Sequence, residues 1–484
     1  MYWETIVLVL TPFVFTAAFI IDSVSGERFW RKINLTGSLV LIFLGLLYLF
    51  TYFYEHAPRE HIILYSVPGL GETYGLIIDP LSAGFAGIIS LVAGLIMLYG
   101  TEYMTPGNNY HPVFSGFSRY FAWMYFFTGS VLLFVFSSSL LMLLINFELM
   151  SLACWGLISY YGGREAERSS YKMLIITHLG AYGGLAAAIG YVLSQHMGLG
   201  LSTLSSLTSY SKLIVLGLIM WAAVTKSSQF PTYSWLPDAM VAPTPTSALL
   251  HGATMIEMGP YLVARIIYSM KTVPVSSAYI ILVPATLSLL VASTIYPGLR
   301  DGKKLLAYST IAEAAIMYYA VSLMIVSPGL GMSLFYLYFT VHAFLKSTGF
   351  LVMGSAGYAI GTHGLEKIVE VLSNDKLFSS SLIAVLFGLA GVPVYSVSKI
   401  YLLIKSGVAL HSPAYIAGFV AILVESLSIA LVSMKWINKL SHEGSEGLQV
   451  PLLMKLVIAL LLIGLYVSQA YCFLIALPVI MGAA

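Results

Sequence analysis

Charge is scarce in this 484-residue chain: Asp, Glu, Lys and Arg together make up 9% of it, against roughly 25% in an average soluble domain. With 59% apolar residues and a mean hydropathy of +0.89, that scarcity excludes an ordinary soluble enzyme, a fibrous protein and a disordered chain. Cysteine is nearly absent too. Cys154 and Cys472 are the two, and both lie in apolar runs. They exclude a disulfide framework, a thiolate zinc site and an iron–sulfur cluster held by this chain alone. Net charge is +2 with no basic tract, which argues against nucleic acid as a partner. No nucleotide, quinone or metal motif is present, so no active site and no cofactor are expected in this chain.

What is abundant is long apolar sequence. A helix needs about 20 apolar residues to cross a bilayer, and fourteen such runs can be drawn, from 5–21 to 451–473. The runs are continuous rather than alternating, which predicts helices and not barrel strands. The expected fold is an all-α polytopic membrane domain over 1–484. The charges order it. With the N-terminus outside, fifteen of the 23 Lys and Arg fall in loops read as inside, five fall outside and three lie within spans. An excess on one side is the mark of cytoplasmic loops, and an even count puts both termini outside the cell membrane. His56 and His61 fall in an outside loop and are expected to be solvated.

The three lysines within spans are Lys226, Lys346 and Lys399, and Glu148, Glu257, Glu313 and Glu425 share their depth. Each such group costs about 2.5–3.5 kcal/mol at mid-membrane, so the seven sum to roughly 20 kcal/mol. Structural ion pairing accounts for some of them. A bundle with no other task would hardly carry them all, and an ion path is the reading that uses them. His178, His251 and His342 also lie in spans. His178 reads equally well as a packing residue. His342 precedes Lys346 by four residues, so both share one helix face.

Two spans should be broken. Span 7 (211–231) contains Pro231, which has no N–H for the carbonyl of Ser227; span 12 (378–404) contains Pro393, which does the same to Leu389. Freed carbonyls within a membrane need water or protein partners, so these breaks suggest a hydrated passage. Packing kinks are the plainer alternative. A repeat is visible by position, about 119–270 and 274–434. In each unit the second span carries Glu148 or Glu313, the third His178 or His342, the fourth a break with Lys226 or Lys399, and the fifth Glu257 or Glu425. Five spans per unit require the second to be inverted, an arrangement found in transporters.

Particular motifs then point to a family. The stretch Thr225-Lys-Ser-Ser-Gln-Phe-Pro-Thr-Tyr-Ser-Trp-Leu-Pro-Asp238, followed by Ala242-Pro-Thr-Pro-Thr-Ser-Ala-Leu-Leu-His-Gly-Ala-Thr-Met255, resembles the signature of antiporter-like subunits. Phe147-Glu-Leu-Met-Ser-Leu152, Lys303-Lys-Leu-Leu-Ala-Tyr-Ser-Thr310 and His342-Ala-Phe-Leu-Lys346 support it. Such subunits occur in respiratory complex I, Mrp-type sodium/proton antiporters and membrane-bound hydrogenases. The resemblance implies that Glu148, Lys226, His251, Lys346 and Lys399 belong to a central hydrophilic axis. Glu257 stands where many members have Lys, and Glu313 where Gln or His is common, so either a sodium site or an altered transfer order follows.

The resemblance implies a proton- or sodium-translocating subunit of a redox-driven membrane complex. The alternative is a subunit of an Mrp-type antiporter driven by an ion gradient. It also implies homologous and smaller membrane subunits as partners, together with a peripheral redox module. Iron–sulfur clusters, with or without nickel–iron, would lie in those partners. A Glu148–Lys226 ion pair is expected to hold the proton of Lys226, because a nearby carboxylate offsets the cost of desolvating the ammonium.

Overall fold

A computed structural model describes residues 2–55, 59–440 and 448–480. The chain opens with α1 (Tyr2–Val24) and α2 (Trp30–Glu55), then makes the hairpin β1 (Glu60–Val67) and β2 (Gly71–Ile78). This hairpin departs from the all-α expectation. Its strands pair antiparallel, with Glu60 opposite Ile78 and Val67 opposite Gly71. Gly69 and Gly71 turn the chain at positive φ, which glycine adopts without a Cβ clash. His61 is not simply solvated, because its Nε2 sits 2.9 Å from the buried carboxylate of Glu72. His56 lies outside the described residues.

The first half continues with α3 (Pro80–Tyr103), α4 (Phe117–Phe136), α5 (Leu140–Ile158) and α6 (Gly163–Gly180). A π-turn over Ala181–Ala186 leads into α7 (Ala187–Ser194). Asp79 caps α3: its carboxylate accepts from Ser82 N while Ser82 Oγ accepts from Asp79 N. Then come α8 (Ser209–Lys226), the short α9 (Trp235–Asp238), α10 (Thr244–Gly252) and α11 (Met258–Met270). The second half holds α12 (Ser277–Ile295), α13 (Gly302–Val326), α14 (Pro328–Ile360), α15 (Leu365–Leu372), α16 (Lys376–Ala390), α17 (Val397–Lys405), α18 (Pro413–Lys439) and α19 (Leu452–Ile480).

Among the described residues, twelve helices are long and apolar enough to cross a membrane, α6 and α7 counting as one. The two missing from the fourteen runs are interrupted. Span 12 divides into α16 and α17, around Pro393. Span 8 (246–270) divides into α10 and α11 across Ala253–Glu257, a break not expected above although Pro260, in the first turn of α11, has no N–H for the carbonyl of Ile256. Span 7 stops at Lys226, so Pro231 lies beyond the helix end and not inside it. Helices α3 and α13 are buried almost along their length, whereas α1, α2 and α19 bury about a third of their apolar windows. The polar side chains of the core therefore collect around α8, α10, α11, α13 and α14, away from the lipid-facing rim.

Candidate functional site: a buried polar axis

The axis is assembled from helix ends. Lys226 is the last residue of α8 and is fully buried. Its Nζ donates to the carbonyl of Phe147 at 2.8 Å and to the hydroxyl of Ser151 at 2.7 Å, 3.7 Å from the Phe147 ring centroid. Among the described residues no carboxylate lies within ion-pair distance of it. The expected Glu148–Lys226 pair is therefore replaced. Glu148 turns away and meets His178 Nδ1 at 2.5 Å. The reason is helical geometry: Phe147 and Ser151 are four residues apart and share a face of α5, and Glu148 is rotated about 100° from Phe147. The Glu148–His178 pair is partly exposed, with side-chain exposures of 22% and 36%.

The carbonyls that the prolines were expected to free are both occupied. Ser227 O accepts from Gln229 Nε2 at 3.0 Å. Leu389 O accepts from Lys399 Nζ at 3.1 Å. Lys399 thus joins the break in span 12 to Glu425 on α18, at 2.7 Å. Tyr296 donates to the other oxygen of Glu425 at 3.0 Å.

Between these ends lies a denser cluster. Glu257 sits at the N-terminal cap of α11, in the break of span 8. His342 Nε2 lies 2.9 Å from Glu257 Oε1 and 3.0 Å from the carbonyl of His251. A carbonyl only accepts, so this nitrogen carries hydrogen. His342 Nδ1 is 3.9 Å from Glu313, too far for a direct hydrogen bond. Tyr338 donates to Glu313. Lys346, one turn along α14 from His342, bonds Ser309 and reaches Leu306 O at 3.4 Å. All these groups are at most 3% exposed.

Several buried polar atoms of the axis have no protein partner: both ring nitrogens of His251, Glu257 Oε2, Glu313 Oε1, His342 Nδ1, Gln229 Oε1 and Ser347 Oγ. Buried polar groups are normally satisfied by protein or by water. Unpartnered atoms strung between paired ones mark where bridging waters belong.

Some members of the site were not legible beforehand. Ser227 shares a hydrogen bond with Tyr318 at 2.8 Å, which joins the end of α8 to α13. Tyr296, Tyr318 and Tyr338 carried no signal among 33 tyrosines. Three basic residues counted with loops and span ends are in fact buried. Lys212 donates to the carbonyls of Met270 and Thr272, Lys303 to those of Met240 and Ala242, and Arg265 pairs with Asp79. The adjacent dipeptide Lys303-Lys304 was the available hint, since only one of two neighbours on a helix faces inward. No cluster of three metal-ligating side chains occurs among the described residues.

A cavity of about 510 Å³ opens on the face opposite the hairpin, lined by His111, Glu165, Asp238, Lys303 and His363 among others. Burial, with Lys303 beside it, holds His363 well below the usual imidazole range and lowers His111 in the same way. The unfolded chain then binds protons that the folded loops refuse. Stability should therefore fall as pH drops through about 6.5 and below. His363→Gln should flatten that acid-side loss; melting midpoints in detergent between about pH 7.5 and 5 check it, and an unchanged slope would refute it.

A helical membrane bundle with acids, histidines and lysines threaded through its core defines the antiporter-like class of membrane proteins. Within that class the chain belongs to the NADH:quinone oxidoreductase/Mrp antiporter transmembrane family, whose profile matches residues 137–426. A second profile, the N-terminus of complex I chain 5, matches residues 65–121. The chain is 29% identical over 394 residues to the A1 subunit of the Na(+)/H(+) antiporter of Staphylococcus haemolyticus, covering 76% of this chain and 47% of that one. It is 34% identical over 314 residues to NAD(P)H-quinone oxidoreductase chain 5 of Picosynechococcus, covering 62% and 44%. The chain spans about half the length of these curated relatives. Its fold matches a chain of the membrane-bound sulfane sulfur reductase, an archaeal respiratory membrane complex, with TM-score 0.84 at 21% identity, covering 96% and 94%. It matches the Mrp complex from Dietzia with TM-score 0.70 at 22% identity, covering 96% and 56%. The family expected from the motifs is thus the family found.

Proposed function

We propose that this chain translocates protons or sodium ions as an antiporter-like subunit of a redox-driven membrane complex. The observation that carries the reading is the buried Glu257–His342–Glu313 cluster, set between Lys226 and the Lys399–Glu425 pair with unpartnered polar atoms in the gaps. Ionisable groups at this depth are costly and mark ion paths. A cation enters near Glu148 and His178, passes Lys226, His251, Glu257, His342, Glu313 and Lys346, and leaves at Lys399 and Glu425. Lys226 holds its proton through Phe147 O and Ser151, and releases it when those contacts open.

The same reading takes 119–270 and 274–434 as inverted repeats, fourteen crossings in the cell membrane and both termini outside. Partners are homologous membrane subunits and a peripheral redox module that carries iron–sulfur clusters, with nickel–iron as one option. The match in length to a chain of a respiratory complex favours this form. The second form, one component of an Mrp-type antiporter driven by an ion gradient, is favoured by the identity to the Staphylococcus antiporter protein over 76% of this chain.

Lys226→Met keeps the volume of the side chain and removes the charge. Driven ion flux in vesicles containing the whole complex should fall at least about tenfold, the usual scale for losing a positioned proton carrier. Flux equal to the parent's would defeat the proposal. Co-purification of iron–sulfur proteins separates the redox form from the gradient-driven one.

A further inference from the structure

Helix α11 links the axis to the hairpin face. Glu257, Tyr261 and Arg265 succeed one another at four-residue intervals and so share one side of the helix. Eight residues of helix rise about 12 Å, so the axis lies only that far from Arg265. Arg265 is 1% exposed. Its Nη1 meets Asp79 Oδ2 at 2.5 Å and its Nη2 meets Oδ1 at 3.0 Å. Nη2 also donates to Tyr261 OH at 2.8 Å, and that hydroxyl donates to Val135 O. Directly beyond lies a cavity of about 340 Å³ that opens at the hairpin and is lined by Arg59, His61, Asp79, Arg265, Tyr268 and Lys271. Arg265 Nε, buried, has no protein partner.

Polar contacts thus run from the cavity through the Asp79–Arg265 pair to the Tyr261 hydroxyl, and Glu257 stands one helical turn further along α11. We infer that Arg265 and Asp79 form an electrostatic plug that keeps cations in the hairpin-face cavity from short-circuiting the axis at Glu257. An arginine in a narrow polar passage repels protons and other cations, and unlike lysine it cannot give up its charge. Asp79 is bound by two parallel hydrogen bonds, which fixes the guanidinium across the passage. The unpartnered Glu257 Oε2, one turn before Tyr261 on α11, is the acceptor assigned to cations that pass once the plug is gone. The inference rests on the ion-path reading above and adds a seal to it.

The test is passive proton flux into pyranine-loaded liposomes containing the full chain, with a potassium–valinomycin potential and no driving reaction. Asp79→Asn with Arg265→Gln removes both charges together and keeps an N-cap for α3. Asp79→Ser with Arg265→Met is the second combination, in case the first loses its fold by melting and gel filtration. Either folded double variant should leak at least about tenfold faster than the parent. Arg265→Lys, which retains the charge, should stay at the parent's level near neutral pH. Adding Tyr261→Phe to the leaking variant should cut the leak. A folded double variant as tight as the parent overturns the plug. It leaves the Lys226→Met result standing, since that experiment reads driven flux only.

Discussion

Lys399→Met is expected to destabilise the protein by about 3–5 kcal/mol and to stop driven translocation. The magnitude follows from Glu425, which would be left buried and uncompensated. Lys399 Nζ is the cation nearest to it, at 2.7 Å, and the Tyr296 hydroxyl alone cannot neutralise a carboxylate. Adding Glu425→Gln removes the orphaned charge. Replacing both members of a buried pair is commonly near neutral, so the double variant should recover most of the lost stability while transport remains absent. Thermal melts and vesicle flux, read side by side, separate the two effects. A single variant that melts with the parent would show that Glu425 is neutral and that the pair is not ionic.

The second large effect is expected at His342. It touches Glu257 and the His251 carbonyl through one nitrogen and faces Glu313 through the other. An imidazole can take a proton at one nitrogen and release it at the other, an ability no other side chain has near neutral pH. His342→Asn keeps a donor toward Glu257 and cannot relay. Stability should fall by about 1–3 kcal/mol, the cost of a weakened buried hydrogen bond to Glu257, less than the loss of the Lys399 charge. Driven flux should fall by about tenfold or more. Flux near the parent's level would remove His342 from the path and leave it as a structural link between α10 and α14.

The sequence read well wherever cost announced purpose. Lys226, Lys346, Lys399, Glu257, Glu313 and Glu425 stand in apolar runs, and an ionisable group there is expensive enough to need a reason. All six are buried in the core. Helix ends were partly legible. Pro393 marks the interruption between α16 and α17, and the break at Ala253–Glu257 was overlooked although Gly252 and Pro260 flank it. Packing uses that glycine: Gly252 lies so close to Ser347 on α14 that no Cβ fits without a shift, and the chain continues from there through Thr254 to Glu257. The hairpin was overlooked because its strands follow closely on α2 and carry the apolar runs Ile62-Ile-Leu-Tyr65 and Leu76-Ile-Ile78 in place of a clear alternation.

Sequence alone therefore determined the class: the surroundings in which the chain folds, the helical build, the family, and the set of residues too costly to be incidental. It could do so because burying charge in hydrocarbon is a one-body penalty, which reads off composition and position. Which charge meets which is a two-body matter. Only the tertiary structure decided that Glu148 turns to His178, that Lys226 rests on Phe147 and Ser151, that Lys399 closes on Glu425, and that Arg265 and Asp79 find each other across 186 residues. Pairing depends on the rotation of each helix about its axis, and one residue of rotation, about 100°, carries a side chain from one partner to the next.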